Sequence, residues 1–145
     1  MPTPQTLTRD DLLRMTPPVY LKNGFLDQRG QPAAGISGVW ATAAATRFEE
    51  AETPAQEVAG TFECMRQVLP WHERTEDPAV RITEAAEEAL ETAARLYEKD
   101  NDAALVRWLD ECVARVRSAR DIELFMKHFE AVALQYSLIA GLKAP

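Results

Sequence analysis

Across residues 121–141, DIELFMKHFEAVALQYSLIAG, apolar side chains return every three or four positions. Ile122, Phe125, Met126, Phe129, Val132, Ala133, Tyr136, Ile139 and Ala140 form one stripe. Leu124, Ala131, Leu134 and Leu138 form a second stripe on the opposite side. The spacing is that of a helix, and a helix apolar on both sides needs cover on both sides. Lys127, His128, Glu130 and Gln135 interrupt the run too often for a bilayer span. The segment therefore predicts the most enclosed helix of a bundle, or one that completes its burial against a second chain through Leu134, Leu138 and Leu142.

Four more helical patterns precede it. Val39, Trp40, Ala43, Ala44, Phe48 and Ala51 line the first, which Ser37 or Gly38 starts. Thr53-Pro54-Ala55-Gln56 predicts the start of the second, with Thr53 as cap, Pro54 in the first helical position and Gln56 closing a capping box. Ala55, Val58, Ala59, Phe62, Met65 and Leu69 are its inner face, and Pro70 stops it. After a polar connection at residues 71–76, Asp77-Pro78 starts the third, which runs to about Lys99 on an alanine-rich stripe of Ile82, Ala85, Ala86, Ala89, Leu90, Ala93, Leu96 and Tyr97. Residues 100–102 make the next turn, and Ala104, Leu105, Trp108, Leu109, Cys112 and Val116 line the fourth. Ser118 or Asp121 caps the last helix, and Gly141 is placed to end it in the left-handed conformation. Short turns between helices predict antiparallel neighbours. The expected fold is all-α: a single five-helix bundle over about residues 39–141, within a helical domain at 39–145.

Residues 1–38 are patterned differently. They hold four of the six glycines and five of the nine prolines, which excludes long helices. Thr8 can cap a short helix with Asp10 and Asp11 in its first turn, ended by Thr16-Pro17-Pro18. Asn23-Gly24 tolerates positive φ at both central turn positions, so Val19–Lys22 and Phe25–Asp27 predict a β-hairpin; an extended arm with one tight turn is the alternative. Leu12, Leu13, Met15, Val19, Tyr20, Leu21, Phe25 and Leu26 are too many apolar groups to leave in water. Tyr20, Leu21, Phe25 and Leu26 are accordingly the arm's candidate partner-binding residues, with packing on the chain's own bundle as the alternative.

Composition narrows function mainly by exclusion. In 145 residues the formal net charge is −7, the wrong sign for gripping nucleic acid phosphates or adsorbing to anionic membranes. Arg115, Arg117 and Arg120 are the only basic cluster, and Asp121 and Glu123 follow closely. No apolar leader opens the chain, which gives a cytoplasmic expectation. Cys64 and Cys112 sit in apolar surroundings and read as reduced, buried thiols. Neither histidine has a glutamate three residues before it, as a di-metal carboxylate bundle requires, since those positions are Leu69 and Phe125. His-Glu-x-x-His, phosphate-loop, dinucleotide and nucleophile-elbow patterns are absent, so no catalytic residue, metal or cofactor is implied.

Glu84, Glu87, Glu88 and Glu91 remain, sharing one helical face with like charges four apart. Such pairs repel by a few tenths of a kcal/mol in an isolated helix. They read as a solvated face that aids solubility, or as a docking face for a basic partner or a surface that mimics nucleic acid. The sequence thus leads to a non-enzymatic interaction module, an adaptor, assembly chaperone or inhibitor acting through its arm and acidic face. Its expected partner is another protein or a second copy of itself. The alternative is a ligand-binding or catalytic bundle with a pocket lined by Trp40, Trp71, Trp108, Tyr136 and His128.

Overall fold

A computed structural model describes residues 7–15, 17–72 and 77–143. The helices are α1 (Arg9–Arg14), α2 (Pro17–Tyr20), α3 (Val39–Glu50), α4 (Ala55–Val68), α5 (Pro78–Tyr97), α6 (Ala103–Val113) and α7 (Ala119–Lys143), with a 3-10 turn at Leu69–His72 after α4. The architecture is an all-α bundle, and no strand is formed among the described residues. Helix α7 packs mainly between α3 and α4, α5 closes on the far side of α4, and α6 bridges α5 and α3.

Local chemistry explains most of the boundaries. Thr8 Oγ1 accepts the Asp11 N–H while the Asp11 carboxylate accepts the Thr8 N–H, a complete capping box on α1. Asp77 accepts the Ala79 N–H at 2.9 Å ahead of Pro78, and Asp102 accepts the Leu105 N–H at 3.1 Å. Ser118 Oγ accepts the Asp121 N–H at 3.1 Å, so Ser118 caps α7 and Asp121 reaches back to the Arg117 N–H at 2.9 Å.

Three local expectations fail, each for a tertiary reason. Pro54, not Thr53, is the residue before α4, and no side chain caps that helix. Thr53 Oγ1 donates instead to Asp102 at 2.9 Å, tying the α3–α4 joint to the start of α6. Gly141 does not end α7, which continues to Lys143, and its φ is not positive. The hairpin at Asn23-Gly24 is replaced by a helical turn, α2, whose end Gly24 closes at φ +82 with its N–H on the Leu21 carbonyl at 2.8 Å. The chain reverses later, where Asp27 Oδ1 accepts the N–H groups of Arg29 and Gln31 and Leu26 bridges antiparallel to Pro32. Helical winding aims Tyr20 and Leu21 into the bundle together, which a strand pair would not do because successive residues alternate faces.

Small side chains let the helices approach closely. Ala41, Ala43, Ala44 and Ala45 of α3 are all fully buried, and α1 packs on this helix as well as α7 and α6. The expected α3 stripe is therefore too narrow and misplaced at its ends, where Val39 and Ala51 are exposed. Gly60 of α4 plays a similar part: a Cβ there would lie 2.1 Å from the Tyr97 hydroxyl, which donates to the Gln56 carbonyl at 3.1 Å. On α7, residues 121–133 include the buried Ile122, Leu124, Phe125, His128, Phe129 and Val132. Past that point one side opens, and Leu134 and Leu138 are 61% and 68% exposed. The side chain of Leu142 lies outside the described residues.

The arm enters the same core. Tyr20, Leu21, Phe25 and Ile36 belong to one buried cluster with the helices. Phe25 meets Phe125 edge-on at 6.1 Å, and Tyr20 stacks on Trp40 at 5.4 Å. Polar bonds hold it as well. Trp108 Nε1–H donates to the Tyr20 hydroxyl at 2.8 Å, and that hydroxyl lies 3.1 Å from His128 Nε2. His128 Nδ1 faces the Ile36 carbonyl at 2.7 Å. A carbonyl only accepts, so Nδ1 carries the proton and Nε2 accepts from Tyr20. Each polar atom of this buried chain has its partner, which is the condition for stability in a low-dielectric core.

Burial holds His128 down at about 4, against the Ile36 hydrogen bond, which pulls the other way. The unfolded chain protonates near 6.5, so between pH 6.5 and 4 the unfolded state binds the extra proton. Stability is then complete above pH 6.5 and falls as pH drops towards 4, by about 3 kcal/mol in all. Urea titrations from pH 7 to 5 should show this slope, and H128Q should flatten it. An equal slope in the variant would show that His128 is not the group responsible.

Removing residues 1–37 strips Tyr20, Leu21, Phe25 and Ile36 from the core, each larger one being worth about 1.5–3 kcal/mol when buried. The truncated chain should lose several kcal/mol of stability and bind a hydrophobic dye. An unchanged thermal midpoint would mean that the bundle does not depend on the arm.

Candidate functional site

The arm's candidate residues face inward. Leu21 and Phe25 are fully buried, Tyr20 nearly so, and Leu26 is half-covered. Arg115 Nε donates to the Leu21 carbonyl at 3.1 Å, pinning this segment to the end of α6. In this arrangement Tyr20, Leu21 and Phe25 serve the chain's own bundle and offer no surface to a partner. What the arm leaves outside near them is Val19, Lys22 and Asn23.

Glu84, Glu87, Glu88 and Glu91 are all exposed on α5, as a single charged face. The 3-10 turn brings His72 against it, with Nε2 2.6 Å from Glu88 and Nδ1 3.5 Å from Glu84. The imidazole thus sits between two carboxylates four residues apart and eases their repulsion when protonated. Its two nitrogens point to different carboxylates, so the three groups do not converge on one point. Among the described residues no group of three or more His, Cys, Asp or Glu is arranged to hold a metal ion. His72 is separated from α5 by a short connection only, and that proximity was the sequence signal for this contact. Glu87 and Glu91 have no ion pair among the described residues.

The five residues of the expected aromatic pocket do not share a cleft. Trp71 stands in solvent at 84% exposure. Trp40 lines a groove with Met15, Val19, Leu26 and Ala33, whereas Trp108 borders a different one with Arg47, Ala51 and Arg107. Trp108 and His128 pack as a tilted pair, centroids 5.8 Å apart, inside the core. Tyr136 sits elsewhere, its hydroxyl within donating reach of the Phe48 carbonyl at 3.1 Å and of the Thr53 carbonyl. These aromatic groups form packing, with hydrogen bonds that join the arm, α6 and α7. Burial also raises the Tyr20 hydroxyl and the Cys112 thiol well above their ordinary values, so neither supplies an anion near neutral pH. Cys64 and Cys112 are both free and buried.

Two further clusters join side chains that no helical period relates. Glu57 is buried on α4, with Oε1 3.0 Å from Lys99 Nζ and Oε2 without a protein partner. It borders a cavity of about 10 Å³ with Thr61, Asn101 and Asp102, room for a single water molecule and not for a substrate. A glutamate on the inner face of an amphipathic helix was the available sign. The second cluster is a polar cleft of about 400 Å³ where Lys22 of the arm meets Arg115, Arg117 and Asp121. Arg120, the third member of the sequence cluster, turns away and pairs with Glu123 at 3.3 Å. No segment of the described chain is a helix long and apolar enough to cross a membrane. No family model, curated protein or solved structure matches the chain.

Proposed function

We propose that the chain is a non-enzymatic protein-interaction module, an adaptor, assembly chaperone or inhibitor, that docks a basic partner on the acidic face of α5. The observation that carries this is the row Glu84, Glu87, Glu88 and Glu91, exposed on one helix, of which only Glu84 and Glu88 are paired among the described residues, both with His72. Fixed carboxylates of one sign steer an oppositely charged surface and hold it in register. Of the aromatic side chains that could have served a ligand, Trp40, Trp108 and His128 are packed against other rings and Trp71 stands apart in solvent. The arm contributes indirectly by holding the bundle together.

The test is parallel co-purification from the native host using the native chain and an E84Q/E87Q/E88Q/E91Q variant. The native chain should retain a basic protein at low salt and release it as ionic strength rises, since exposed charges are screened. The variant should keep the thermal midpoint and lose that protein. Equal recovery by both, unaffected by salt, would defeat the proposal.

Self-association is favoured by a separate observation: Leu134 and Leu138 stand exposed beside a groove of about 320 Å³ lined by Ala59, Phe62 and Ala133. Sedimentation should show a dimer that L134E/L138E converts to a folded monomer. A native chain that stays monomeric across a wide concentration range would exclude this contact.

A further inference from the structure

The cleft between the arm and the α6–α7 joint is opposite in sign to the net charge of the chain. Lys22, Arg115 and Arg117 carry three positive charges into it and Asp121 one negative charge, a local balance of +2 in a chain of net −7. Of the three cations, Arg115 is tied into the fold through backbone carbonyls. Lys22 and Arg117 are exposed and have no ion pair among the described residues. Arg115 is half-buried and preset: Nε donates to the Leu21 carbonyl at 3.1 Å and Nη1 to the Glu111 carbonyl at 2.6 Å, which leaves Nη2 unpartnered among the described residues. A guanidinium fixed by backbone carbonyls loses little freedom when it takes another acceptor.

Asp121 is the one group in the cleft that opposes an anion. Its Oδ2 already accepts the Arg117 N–H at 2.9 Å, and its own N–H goes to Ser118 Oγ. The carboxylate is thus committed to ordering the joint that presents Arg117. The start of the 25-residue helix α7 lies next to it and adds favourable potential for negative charge. The cleft's volume of about 400 Å³ lies within the range of small-ligand sites and exceeds what a simple ion needs.

We propose that this cleft binds a phosphate monoester, a dianion matching the local charge of +2, with Lys22, Arg115 and Arg117 as its donors. Guanidinium and ammonium groups recognise phosphate oxygens by charge-assisted hydrogen bonds. The site is independent of the acidic face of α5. Its ligand is a phosphorylated small molecule or a phosphorylated side chain of a partner, which share this chemistry.

Isothermal titration at constant ionic strength tests it, with inorganic phosphate, a sugar phosphate and a phosphoserine peptide as probes and chloride as control. Phosphate should bind saturably where chloride does not. Binding should weaken below about pH 6, where the second phosphate proton returns. R117Q and K22Q, both at exposed positions, should keep the native thermal midpoint and each weaken binding about tenfold. Tighter binding of the sugar phosphate would identify a small-molecule ligand, and tighter binding of the peptide a modified partner. The proposal is overturned if phosphate gives no saturable heat, or if both variants bind it as the native chain does.

Discussion

The buried polar chain from Trp108 through Tyr20 and His128 to the Ile36 carbonyl is the constraint on which the arrangement depends. It joins four separate parts of the chain: α6, α2, α7 and the loop before α3. Every member is deep in the core, where an unpaired donor or acceptor costs about 1–3 kcal/mol. Each group therefore needs all the others. The imidazole must be neutral and in one tautomer, Tyr20 must donate to it, and Trp108 must donate to Tyr20. Apolar packing alone would permit the arm to slide on the bundle, whereas this set of bonds accepts one position.

That constraint decides which surfaces are left for function. With Tyr20, Leu21, Phe25 and Ile36 drawn inward, the arm completes the core. Arg115 adds a second tie by holding the Leu21 carbonyl, and in doing so it is positioned beside Lys22 and Arg117. The same attachment that stabilises the arm thus creates the basic cleft. Helix α5 takes no part in the polar chain and keeps Glu84, Glu87, Glu88 and Glu91 on an exposed face, two of them beside His72. The molecule presents charge of opposite sign in two places, one a broad helical face and the other a bounded cleft, and these suit partners of different size.

The end of α7 shows the same division between core and surface. The helix packs against α3 and α4, and its first half meets Trp108 of α6 through Phe125 and Phe129. Beyond Ala133 the packing leaves Leu134 and Leu138 exposed, although the leucines continue the second stripe. Tyr136 still anchors this half through the Phe48 and Thr53 carbonyls, so the exposed leucines sit on a fixed helix rather than a fraying one.

Much of the fold was legible in the residues alone, because it rests on interactions within a few positions. Helical periodicity located α3 to α7, and the caps at Thr8, Asp77 and Ser118 act through side chains that reach only three residues or fewer. The charged face of α5 was likewise legible, since one helix suffices to align Glu84, Glu87, Glu88 and Glu91. What the tertiary structure decided are the places where one group has two local uses. Thr53 could cap α4, but Asp102 lies near enough to take its hydroxyl. Asn23-Gly24 could turn a hairpin, but a helical turn buries both Tyr20 and Leu21, and the burial outweighs the turn preference. His128 and Tyr20 are 108 positions apart, so no local pattern could pair them. Lys22 and Arg117 meet for the same reason, because the distance along the chain says nothing of the distance across a packed core.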